Sequence, residues 1–112
     1  MEYEEASFQI LLYAGNANSG FEHAAELIEE GKYDEASSAI VLGEAEILKA
    51  HAAHSELLSA LAAGESVSCN ILLAHAMDHM MHAENMCFFA KRLFKLYKEL
   101  ELLKSNLGGK EG

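Results

Sequence analysis

Six histidines occur in the 112-residue chain, and five of them fall in two groups, His51 with His54 and His75 with His79 and His82. The second group is the dense one, set in Leu73-Ala74-His75-Ala76-Met77-Asp78-His79-Met80-Met81-His82. On a helix Asp78 stands one turn from both His75 and His82, so it can orient either imidazole or share a metal with it. Residues 75, 78, 79 and 82 then share about a third of the helix circumference. Three chemistries fit these residue types. A histidine pair at i and i+4, here His75 and His79, is a competent transition-metal ligand pair. A carboxylate beside imidazoles suits acid–base catalysis. A neutral imidazole nitrogen can also take a phosphoryl group, provided its tautomer is fixed and the incoming charge is stabilised. The paired Glu-x-x-His signature of four-helix diiron proteins is not properly present. His23 and His54 read as solvated helix histidines.

Long helices must position these residues. The chain has no proline, which favours unbroken helices. The apolar spacing of Phe8, Leu11, Leu12, Ala24, Leu27 and Ile28 predicts a first helix over about 4–30. Its middle, Gly15-Asn16-Ala17-Asn18-Ser19-Gly20, is poor in helix formers. A kink or break is expected there, with close backbone approach to another chain or a ligand as the functional alternative. Gly31 serves as a C-cap glycine and Asp34 as the next N-cap. A second helix follows over about 34–63, with Ala36, Ile40, Leu42, Ile47, Leu48, Leu57, Leu58 and Leu61 as its apolar side. Gly64 stops it, and Ser66 or Ser68 caps a third helix over about 68–104. A flexible tail is expected at 106–112.

The expected fold is therefore all-α: one domain over 1–105, an antiparallel three-helix bundle about 45 Å long. Along the third helix, alternating spacings of four and three trace a seam through Ile71, His75, Asp78, His82, Asn85, Phe89, Arg92, Leu96, Glu99 and Leu103. Such a seam is normally apolar, yet four consecutive positions here are polar. Burying them without partners would cost a few kcal/mol each. Either the seam faces water, or its polar groups meet a neighbouring subunit, an ion or a substrate. A thin three-helix monomer also has little core for a chain that is 51% apolar, which favours an oligomer with helices at its centre.

Composition narrows the function. Eight basic against eighteen acidic residues leave a net charge of −10, which repels phosphate backbones and argues against nucleic-acid binding. It suits a partner with a basic face. No apolar run reaches the roughly 18 residues of a membrane span. The acidic start Met1-Glu2-Tyr3-Glu4-Glu5 is unlike a signal peptide, so a cytoplasmic location without membrane insertion is expected. Cys69 and Cys87 lie on one expected helix, about 27 Å apart and beyond disulfide reach. They read as reduced thiols packed as small hydrophobes. The absence of a Cys-x-x-Cys pair removes a structural zinc site.

From about Phe8 to Leu100 the chain resembles the lactose/cellobiose-type IIA component of the bacterial phosphoenolpyruvate-dependent sugar phosphotransferase system. His75-Ala76-Met77-Asp78-His79-Met80-Met81 is similar to that family's His-Ala/Gly-Gln-Asp-His-Leu-Met. Tyr13-Ala14-Gly15-Asn16-Ala17-Asn18-Ser19 matches its Ala/Ser-Gly-x-Ala-x-Ser stretch, and Ala50-His51 matches an Ala-His in its second helix. Gly31-Lys32-Tyr33 and Gly64 fall at its turns.

The resemblance implies a homotrimer of three-helix bundles, with His75 as the phosphorylated nucleophile. His79 is the supporting neighbour, and His82 is a further candidate support. Asp78 would sit at a three-fold axis and bind a divalent cation, Mg2+, one per trimer. The histidine phosphocarrier protein would donate the phosphoryl group, and the cysteine of a IIB component would accept it during uptake of a sugar of the lactose, cellobiose or chitobiose class. Met77 stands where the family has glutamine, removing an amide donor, and His82 and His54 replace a common threonine and glutamine. The other readings of the same residues are a metal-binding helical protein and a regulatory bundle without phosphoryl transfer.

Overall fold

The computed structural model describes residues 2–67 and 70–111. It comprises three α-helices, α1 (Glu2–Glu29), α2 (Tyr33–Ala62) and α3 (Ile71–Glu111). They run up, down and up. Tyr3 at the start of α1 donates to Glu65 just past the end of α2 (2.6 Å), and Tyr33 at the start of α2 meets Phe94 far along α3 (ring centroids 6.0 Å). α1 is the central element, packing along both others, while α2 and α3 meet each other much less. No helix among the described residues is long and apolar enough to cross a membrane.

The molecule is a rod of 69 × 20 × 19 Å, longer than the expected 45 Å. The reason is α3, whose 41 residues span about 61 Å at 1.5 Å per residue. The helix does not end near Lys104 but continues to Glu111, through the expected tail. Once a helix is under way, each added residue closes one more hydrogen bond, and no proline interrupts it. α1 likewise runs unbroken through Gly15–Gly20, where a kink or break was expected. Its small residues serve packing instead. A Cβ added to Gly20 would lie 3.7 Å from the Gly43 Cα, so the backbones of α1 and α2 come close within one chain.

Both glycine stops are seen. Gly31 (φ 78°) and Gly64 (φ 84°) adopt the left-handed conformation that ends a helix. Lys32 N–H donates to Leu27 C=O (2.8 Å) and Gly31 N–H to Ile28 C=O (3.0 Å). Glu65 and Gly64 repeat the pattern on Ala60 and Leu61. The expected N-caps differ. α2 begins at Tyr33 with Lys32 at its N-cap position and no side-chain cap. Asp34 is in the first turn, where its charge faces the positive end of the helix dipole. α3 is capped by Asn70, whose Oδ1 accepts the Leu73 N–H (3.0 Å), rather than by Ser66. Asparagine is among the strongest N-caps and stands next to the helix start. Ser68, the other expected cap, and Cys69 lie outside the described residues, as does Gly112.

The core is built largely from alanines, among them Ala14, Ala17, Ala24, Ala50 and Ala76, around the fully buried Phe21, Ile10 and Ile28. Small side chains let the helices approach closely but leave larger ones outside. Phe8, Leu12, Leu42, Leu48, Leu58 and Leu61, expected on apolar faces, are each more than half exposed in the single chain.

Candidate functional site

α3 turns one stripe to the core and another to solvent. Ala76, Met80, Ala83 and Ala90 are buried against the other helices. Spacings of three, four and seven keep such residues on one face, so the residues between them must face away. The seam read from the sequence is exposed along its whole length, from Ile71 (88% exposed) through His75, Asp78, His82 and Asn85 to Leu103. Its polar positions thus pay no burial cost in the single chain.

His75 and His79 are brought together. Their ring centroids are 4.6 Å apart and their planes nearly perpendicular, at 85°. His75 is exposed and His79 half-buried, which fits a reactive ring braced by a neighbour. Asp78 and His82 share the exposed side, and neither makes a hydrogen bond or ion pair among the described residues. No group of three or more His, Cys, Asp or Glu side chains among the described residues is gathered closely enough to hold a metal.

A residue the sequence did not single out supports this turn. Asn18, from the glycine-rich middle of α1, extends its Nδ2 to the backbone carbonyl of His79 at a long 3.4 Å. Its Oδ1 is buried without a partner. The amide sits in the matched Ala-Gly-x-Ala-x-Ser stretch, but its facing partner on α3 depends on helix register.

His51 does not join the His75–His79 pair. Its Nε2 meets Glu84 Oε1 of α3 at 2.8 Å, linking the two helices that otherwise touch least. His54 is half-buried and His23 exposed, and neither is drawn to the pair. Near His51, Lys91 of α3 bridges to Glu44 of α2 at 2.6 Å. Between these links is a cleft of about 330 Å³ lined by Glu44, Ile47, Leu48, His51, Glu84 and Cys87. Cys87 is free and half-buried. Burial pushes its thiol up from the ordinary range, the Lys91 ammonium pulls it down, and the Glu44 carboxylate pushes it up again. The thiol is held protonated, as expected for a packed cysteine and not for a nucleophile.

The site therefore consists of two imidazoles in edge-to-face contact and, on the exposed stripe, a carboxylate without a partner among the described residues. Comparison with known proteins gives it a context. The family model for the PTS system, Lactose/Cellobiose specific IIA subunit, matches residues 5–98. The chain is 35% identical over 95 residues to the oligo-beta-mannoside-specific EIIA component of Bacillus subtilis (strain 168), covering 85% of this chain and 86% of that protein. It is 34% identical over 101 residues to the lactose-specific EIIA component of Streptococcus mutans serotype c, covering 88% and 97%. The crystal structure of the PTS cellobiose-specific enzyme IIA from Bacillus anthracis shares the fold at a TM-score of 0.88 and 36% identity, covering 91% of this chain and 94% of that one. The match spans the bundle and includes the histidine-bearing stretch of α3, so the chain belongs to the lactose/cellobiose-specific IIA family of the sugar phosphotransferase system, as one of its phosphocarrier components.

Proposed function

We propose that His75 is the residue that carries the phosphoryl group. A IIA component receives this group from the histidine phosphocarrier protein and hands it to a IIB component. Here the His75 Nε2 lone pair attacks phosphorus in line, and the donor's bond to phosphorus breaks as the new P–N bond forms. In the second transfer the IIB cysteine sulfur attacks phosphorus, and the His75 P–N bond breaks. Little covalent chemistry is asked of the protein, so positioning and charge compensation supply the catalysis. What supports the choice of His75 is its exposed ring packed against His79 at 4.6 Å. His75 is open to solvent in the single chain, while His79, and His82 one turn on, offer N–H groups to phosphoryl oxygens. The group brings nearly two negative charges to a chain of net charge −10. Basic residues on the partners' docking faces complete the compensation.

The exposed seam supports a homotrimer. Three α3 helices around a common axis would cover Ile71, Phe89, Leu96 and Leu103, each more than half exposed alone. The same packing would bring three copies of Asp78 together. Their carboxylates repel, and a divalent cation, Mg2+, suits such a cluster of hard oxygen ligands. One chain supplies a single carboxylate there, so the fit requires the assembly. When bound, the cation neutralises the axial carboxylates and steadies the helix that carries His75. Two protein partners and an acidic chain without an apolar span fit a cytoplasmic carrier.

The test uses the purified chain with phosphoenolpyruvate, the general first enzyme of the system and the phosphocarrier protein. An acid-labile, base-stable phosphate should form on wild type and be absent from His75→Ala. Its survival in that variant would place the acceptor on another histidine, and its absence from wild type would favour a metal-binding or regulatory bundle.

A further inference from the structure

The His75–His79 pair has a second chemical capacity that phosphoryl transfer does not use. Two imidazoles one turn apart on a helix form a chelate when their nitrogens can reach one point. With metal–nitrogen bonds of about 2.0–2.1 Å and an angle between 90° and tetrahedral at the metal, two ligating rings have centroids about 4.5–5.2 Å apart. The observed separation is 4.6 Å. The rings now meet edge to face at 85°, and because His75 is exposed its ring is free to turn about the Cβ–Cγ bond, which changes its tilt while leaving the centroid separation nearly unchanged. Neither ring is tied up in an ion pair among the described residues, unlike His51, which is held by Glu84.

We propose that His75 and His79 together bind an imidazole-preferring divalent transition metal, of the Zn2+, Ni2+ or Cu2+ class, and that this ion and the phosphoryl group exclude each other. The ion takes the His75 Nε2 lone pair, the same one the phosphoryl group uses, and one His79 nitrogen lone pair, and releases two of its own waters. Its remaining positions stay with water, because no third side chain among the described residues joins the pair. Mg2+ does not compete, since it prefers oxygen ligands and gives up water reluctantly. The exclusion rests on His75 being the phosphoryl acceptor, whereas the chelate itself does not. The carrier would then be silenced by free transition metal and restored by its removal.

Calorimetric titration of the unphosphorylated protein with Ni2+, in saturating Mg2+, needs no phosphoryl donor and so reads the chelate separately from the transfer reaction. Wild type should bind one Ni2+ per chain. His75→Gln and His79→Gln should each weaken binding about tenfold or more, as loss of one of two imidazoles demands, and His23→Gln should leave it unchanged. Circular dichroism of each variant checks that the helices persist. Ni2+ affinity unchanged in His79→Gln overturns the chelate. The second arm repeats the titration on protein phosphorylated beforehand in Mg2+ buffer free of transition metal and freed of donor. Loss of Ni2+ binding is expected, and full retention overturns the mutual exclusion. Failure to form phosphohistidine in Mg2+ buffer free of transition metal would count against the acceptor assignment, with the first arm still readable.

Discussion

The Phe21 ring lies over Gly43, so close that a Cβ on residue 43 would fall 2.6 Å from the ring edge. Phe21 is fully buried, so the ring has nowhere to retreat. α1 and α2 cross here, and glycine sets their separation. Gly43→Ala should lower stability although alanine is the better helix former. Overpacking costs about 1–3 kcal/mol, against a propensity gain of about 1 kcal/mol. Gly20→Ala is the control, because its Cβ would meet only ordinary contacts at 3.7 Å. Urea unfolding should place Gly43→Ala below wild type and Gly20→Ala at or above it. Equal stability of the two variants would contradict this account of the crossing.

The start of α3 is fixed by one side chain. Asn70 Oδ1 accepts the Leu73 N–H, a group that would otherwise lack an intrahelical partner. Asn70→Ala should cost about 1 kcal/mol and Asn70→Asp much less, since aspartate also accepts this bond. Thermal unfolding of the two variants checks the difference. The helix carrying His75 begins here, so amide exchange in its first turns should quicken in the alanine variant.

Asp78 is exposed and has no partner among the described residues. In the proposed trimer, three such carboxylates meet and need a cation. Chelation of divalent ions should therefore loosen the wild-type trimer in sedimentation velocity. Asp78→Leu should remove this dependence and hold the trimer at least as tightly, because an apolar contact replaces a buried charge cluster. A monomeric Asp78→Leu protein would weaken the axial-cation account in part, and a trimer of this variant that still loosens on chelation would remove Asp78 from the axis.

Cys87 reports the electrostatics of the α2–α3 cleft. Burial raises its pKa, so between the ordinary thiol range and the raised value the unfolded chain is ionised while the folded one is not. This contribution to stability is complete below the ordinary thiol pKa and is lost as pH rises through the folded value. In a Cys69→Ser background, alkylation at mildly alkaline pH should be slower in the folded protein than in urea. Lys91→Met removes the ammonium that lowers the pKa and should slow the reaction further. Glu44→Gln removes the carboxylate that raises it and should have the opposite effect. A folded rate equal to that in urea would show that burial does not protect the thiolate.

Salt should slow transfer as well. A carrier of net charge −10 is steered to basic partners over distances that ions screen, by about 8 Å at physiological strength. The rate of phosphorylation at limiting carrier should fall steadily with added salt, and a flat response would remove steering from the account.

Much of the architecture is legible in the residues alone. Absent proline, three amphipathic stretches and two well-placed glycines specify three long helices and both of their stops. These are local properties of the backbone, readable from one residue and its near neighbours. The dense histidine group was legible for the same reason, since spacings of three and four place side chains on one face whatever lies beyond. What those faces meet depends on the packing of the three helices. Leu42 and Leu48 looked like core residues, but alanines took the core, because close helix packing leaves room for small side chains and turns larger ones outward. The pairing of His51 with Glu84, the reach of Asn18 to the His79 carbonyl and the seating of Phe21 on Gly43 join residues far apart in the chain. Each depends on how far one helix is slid and turned against another, and that register comes from the fit of all the side chains at once.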